Sequence, residues 1–89
     1  MQPTTIQLNI QVWQEGTMFV AYVSPLDVSS CGVSLDEARK NIREAVIAFV
    51  TEAERMGTLS QVLEEAGFTC DKEWKAPNIV AEERLQLAV

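Results

Sequence analysis

The sequence predicts an α+β domain: a small mixed sheet, three antiparallel strands plus a C-terminal strand, packed against one long helix and a short second helix. Three observations carry this expectation. Residues 4–13, TTIQLNIQVW, alternate apolar and polar side chains, the period of a strand with one buried face. At Ser34 the period lengthens to that of an amphipathic helix. Residues 84–89 return to alternation, with Leu85, Leu87 and Val89 set against Arg84, Gln86 and Ala88.

Each element follows from its own residues. In the first strand Ile6, Leu8, Ile10 and Val12 share one face, and Thr5, Gln7, Asn9 and Gln11 share the other. Gln14-Glu15-Gly16-Thr17 is a short glycine-containing turn, so MFVAYV, residues 18–23, completes a β-hairpin. Pro25 has no N–H to give to a ladder and ends that strand, after which Val28–Val33 returns as a third.

Helix entry is signalled twice over. Ser34 and Glu37 have the spacing of a capping box, and Val33 and Ala38 that of a hydrophobic staple. Ala38, Ile42, Ala45, Val46, Phe49, Val50 and Ala53 then form an apolar stripe about six turns long, opposite Asp36, Arg39, Lys40, Arg43 and Glu44. Gly57 suits the residue just past a helix end. Thr58 to Gln61 has the pattern of a second capping box, and Gly67 closes the short helix it opens. Phe68 to Ala76 is of mixed polarity, and Pro77 interrupts it before the final strand. The chain therefore reads as a single domain over 1–89, with its core in 4–56 and the short helix and last strand in 58–89.

A formal charge of −6 disfavours DNA or RNA, whose phosphates the field of the domain would repel, and favours a basic partner. Arg39, Lys40 and Arg43 form a basic cluster, but Asp36 stands three and four residues before Arg39 and Lys40, where local pairing would neutralise much of it. Histidine is absent, and Cys31 and Cys70 do not make a CxxC pair, so neither a zinc site nor any other cofactor is expected. No basic segment followed by an apolar run opens the chain, which reads as cytoplasmic with reduced thiols.

The sequence also argues against an enzyme. Without histidine, a serine or cysteine nucleophile would need a lysine or carboxylate base, and no motif supplies one. Paired-metal chemistry needs converging carboxylates, whereas the polar face of the first strand carries only neutral groups. Gly16 and Gly32 stand alone and make no phosphate loop. Cys31 reads as a buried small filler, and Trp13, Tyr22, Phe68 and Trp74 as core or interface anchors.

FVAYVSPLDV followed by SSCGVSLDEARKNIREAV resembles the HicB-like antitoxin family. That family has a hairpin strand leading into a proline-containing loop, a short strand, and a helix with the pattern G-x-[ST]-x-x-E-A-x-x-N-x-x-E-A. The matching positions here are Phe19, Val20, Ala21, Pro25 and Leu26, then Gly32, Ser34, Glu37, Ala38, Asn41, Glu44 and Ala45. The resemblance covers residues 6 to about 50, and GTLSQVLEEAGF is similar to the extension of short stand-alone members. It implies a partial RNase H-like fold without that nuclease's carboxylates, and a HicA-type toxin, a small basic mRNA interferase, as partner. Many relatives continue into an operator-binding domain. Only 22 residues follow Gly67 here and they read as strand, so no separate DNA-binding domain is expected. Where relatives carry Glu after the loop proline, this chain has Leu26 and then Asp27.

The expected function is thus neutralisation of such a toxin by covering its RNA-binding surface; an oligomeric scaffold with no toxin is the alternative. Glu15 in the hairpin turn and Asp27 after Pro25 are the expected partner-binding residues, because loops present charge while strand and helix interiors are committed to packing. Homo-oligomerisation is expected of so small a core, with the final strand near a sheet edge.

Overall fold

The computed structural model describes residues 5–88 as an α+β arrangement of two small sheets and two helices. In chain order the elements are β1 (Ile6–Gln7), β2 (Gln11–Glu15), β3 (Met18–Val23), β4 (Val28–Gly32), α1 (Leu35–Arg55), α2 (Leu59–Glu65), β5 (Thr69–Asp71) and β6 (Glu73–Lys75). One sheet has the order β2-β3-β4, antiparallel throughout. The other is mixed, with the order β1-β6-β5, β6 running parallel to β1 and antiparallel to β5.

Alternation places the core. Ala21 and Val23 on β3 are fully buried against Ala38 and Ile42 of α1, and Phe19, Val12 and Val28 pack around them from the same sheet face. Leu63, Phe68 and Trp74 close the core from the α2 and β6 side. The helix lies mainly over β4 and β3 and meets β2 only slightly.

The β2–β3 hairpin turns on Gly16 and Thr17, and Gly16 has the positive φ, 59°, that the first position of a type II′ turn demands. The Ser24-to-Asp27 loop closes with the Asp27 N–H donating to the Ser24 carbonyl at 3.2 Å.

The start of α1 is built as expected in one respect and differently in another. The Ser34 Oγ accepts the Glu37 N–H at 3.1 Å, and the Glu37 carboxylate accepts the Val33 N–H at 3.3 Å, one residue before the box would place it. The staple does not form: Ala38 is buried, but Val33 is 66% exposed. Tight joining comes instead from Gly32, whose missing side chain leaves room for the helix backbone. A Cβ there would lie 2.6 Å from the Ala38 nitrogen. The Asn41 amide then donates to the Cys31 carbonyl at 2.8 Å and ties the second turn of α1 to β4.

Both helices end in the glycine motif read from Gly57 and Gly67. Thr58 N–H donates to Ala53 and Gly57 N–H to Glu54; Phe68 N–H donates to Leu63 and Gly67 N–H to Glu64. The second capping box is not made. The Thr58 hydroxyl turns back to the Ala53 carbonyl, and Gln61 bonds Glu65.

Two strand expectations are corrected. The long first strand is divided by residues 8–10 into β1 and β2, because its two halves serve different sheets. Ile10 falls in the break and is exposed, while Ile6, Leu8 and Val12 pack as the alternation requires. The last strand lies at 73–75 and not at 84–89: residues 76–88 form no strand, and Thr4 and Val89 lie outside the described residues. Trp74 explains the difference, since pairing β6 with β1 buries its large ring to 7% exposure, and Leu85 and Leu87 offer nothing comparable.

Candidate protein-binding face

Cross-strand register determines which side chains the helix leaves uncovered. Gln11, Trp13 and Glu15 on β2 stand opposite Tyr22, Val20 and Met18 on β3, and Tyr22 and Val20 stand opposite Ser29 and Cys31 on β4. These eight residues share the face turned away from Ala21 and Val23, and hence away from α1. Cys31 is therefore exposed as a free thiol, contrary to its reading as buried filler. Its parity with Val20 and Tyr22 was the available signal.

Trp13 and Tyr22 dominate this face. They sit diagonally across β2 and β3 with ring centroids 6.3 Å apart and planes at 69°, an edge-to-face pair. Each ring is held at its polar tip by one of the two acids expected to bind a partner. The Trp13 indole N–H donates to the Glu15 carboxylate at 2.9 Å, and the Tyr22 hydroxyl donates to the Asp27 carboxylate at 2.8 Å. Asp27 reaches it from a left-handed backbone, φ 54°, a conformation that aspartate tolerates better than most residues. The hydrogen bond to Asp27, helped by desolvation and by the Asp27 charge, raises the Tyr22 hydroxyl above its ordinary pKa.

Glu15 and Asp27 do not meet. They lie at opposite ends of β3, roughly 15–17 Å apart at about 3.3 Å per residue. What joins them is the aromatic pair between. Sequence reasoning had the acids and the rings as separate features; the spacing Trp13-x-Glu15 and the shared parity of Trp13 and Tyr22 were the missed links.

Chemically the face suits cationic side chains. Each carboxylate has lone pairs left after accepting one ring donor, and the ring beside it, exposed for Trp13 and half-buried for Tyr22, can stack the stem or head of an arginine or lysine. The basic cluster of α1 is elsewhere. Among the described residues the one ion pair is Arg55 with Glu52, so the expected local pairing of Asp36 with Arg39 and Lys40 is not formed.

A concavity of about 690 Å³ where β1 and β6 meet residues 76–79 has Lys75 as its one titratable lining residue. Groups of three or more possible metal ligands are absent among the described residues, and no helix among them is long and apolar enough to cross a membrane. Neither a protein-family model, nor a curated protein, nor a solved structure matches the chain.

Proposed function

We propose that the chain is a non-catalytic protein-binding domain, a HicB-like antitoxin or orphan relative that neutralises a HicA-type mRNA interferase by covering its RNA-binding surface. The observation that carries this reading is the uncovered sheet face on which Glu15 and Asp27 hold Trp13 and Tyr22 by their polar tips. A surface that binds RNA is basic, and a domain of charge −6 would be steered onto it. Trp13 and Tyr22 would be the anchors, since aromatic rings already fixed in place lose little freedom on binding. The stretch over the hairpin, β4 and the first half of α1 resembles the local motif of that family, with a departure at Leu26 and Asp27. A partial RNase H-like relationship belongs to this proposal and rests on that motif.

The test begins with the gene directly beside this one: if it encodes a small basic protein with one key histidine, binding kinetics are measured against that protein with the histidine replaced by Ala. Association should slow as salt rises. At low salt the Glu15→Lys/Asp27→Lys variant should associate at least about tenfold more slowly. Glu15→Gln/Asp27→Asn, which keeps an acceptor for each ring, should fall between it and the wild type. A neighbouring protein of another kind, or no association at all, would overturn the antitoxin reading and leave the alternative, an oligomeric scaffold with no toxin.

A further inference from the structure

Residues 77–88 are exposed at every position, and the chain's radius of gyration, 15.1 Å, exceeds the roughly 12 Å of a compact chain this long. This arm is not polar. Val80, Leu85 and Leu87 are 95%, 78% and 71% exposed, and in an extended arm Ile79, Ala81, Glu83, Leu85 and Leu87 fall on one side.

The body of the molecule has a matching vacancy. The β4 edge of the larger sheet lies under α1 and is tied to it by Asn41, whereas β2 pairs with β3 alone among the described residues. Because α1 sits toward β4, a groove of about 390 Å³ opens between β2 and the start of the helix. Ile10, Val12 and Leu35 make its apolar part, and Arg39 and Arg43, which have no ion pair among the described residues, stand beside them.

Continued at the register of β6, the arm does not bring its leucines to the groove of its own copy. Ile6 lies opposite Trp74, so at that register residues 78–83 would pass 10–15, and Leu85 would fall opposite Thr17 in the turn. Pro77, beside Gly67, has no N–H with which to continue the pairing, so the last β6 hydrogen bond is Ala76 N–H to the Gln7 carbonyl at 3.1 Å.

We propose that two copies exchange their C-terminal arms, each arm adding to the open β2 edge of the other copy. Leu85 and Leu87 enter the groove against Ile10, Val12 and Leu35, and Glu83 of the same side meets Arg39 and Arg43. The exchange is reciprocal, satisfies the free β2 edge and leaves the Trp13–Tyr22 face open. It is independent of any toxin partner.

Analytical ultracentrifugation of the full chain tests it. The wild type should sediment as a dimer, and Leu85→Asp/Leu87→Asp should raise the dissociation constant at least about 100-fold with the helical circular dichroism signal unchanged, since the substitutions lie outside both helices and the core. Glu83→Lys should weaken the dimer, and Glu83→Lys with Arg39→Glu/Arg43→Glu should recover it. A wild-type monomer at high micromolar concentration overturns the exchange. So does a dimer indifferent to the arm substitutions, which would place the interface on another face.

Discussion

At the scale of single residues, the Tyr22–Asp27 contact is the most directly measurable feature of the candidate face. Tyr22 is the one tyrosine of the chain, so its hydroxyl can be titrated by ultraviolet absorbance without ambiguity. The hydrogen bond stabilises the neutral hydroxyl, and deprotonation would set a phenolate against a carboxylate. A folded-state pKa raised above the unfolded one means that the stability from this contact is complete below the ordinary tyrosine value and is lost as pH rises through the raised midpoint. Asp27→Gly removes the carboxylate and suits the left-handed backbone, so it should bring the midpoint back down toward its ordinary value. An unshifted midpoint in the wild type would show that the contact does not persist in solution. The acids were legible in the sequence as exposed turn residues. Their grip on the rings was not, because it depends on side-chain reach across a turn.

At the scale of elements, the β4–α1 junction rests on backbone proximity more than on side-chain packing. Ser34 and Glu37 satisfy N–H groups at the helix start, and Gly32 lets the strand end lie directly on the first turn. Gly32→Ala would set a methyl group 2.6 Å and 2.9 Å from helix backbone atoms, which cannot swing aside as a flexible side chain can. The expected cost is about 1–3 kcal/mol, seen as a lower urea midpoint at unchanged m. Gly32 has an ordinary negative φ, so this cost is steric alone. A midpoint equal to the wild type's would mean that the junction is looser than described. The helix and its ends were readable from neighbouring residues, with Gly57 and Gly67 in the expected places. The staple misled because Val33 and Ala38 have the right spacing, yet the chain direction entering α1 leaves Val33 in solvent.

At the scale of the whole molecule, stability rests on a small core with few large side chains at its centre. Ile42, Leu63 and Val23 are the largest that are completely enclosed. A domain of this length has about 5–13 kcal/mol to lose, and an Ile→Ala change at a fully buried site removes about 2–5 kcal/mol. Ile42→Ala should therefore take away between about a sixth and most of the total, measured by the same urea unfolding. A loss under about 1 kcal/mol would show that α1 can repack over β3. The outer face lies on the opposite side of the sheet from Ile42, so a folded Ile42→Ala protein should keep the candidate binding face.

The sequence by itself determined the local structure: the hairpin at Gly16, the loop at Pro25, the capped start of α1, the two glycine helix ends and the α+β class. These depend on residues within a few positions of one another, where sterics and hydrogen-bond spacing leave few choices. Only the tertiary structure decided which distant segment pairs with the first strand, that residues 8–10 break it between two sheets, and that α1 lies toward β4 and leaves β2 open. Strand partners far apart in sequence are chosen by competition for burial. Alternation made residues 84–89 eligible, but Trp74 and Phe68 bury far more apolar surface in the smaller sheet's layer. That choice left residues 84–88 of the expected last strand in an exposed arm, while the register of β2, β3 and β4 placed Glu15, Trp13 and Tyr22 on the face that α1 does not cover, where Asp27 reaches Tyr22 from its loop.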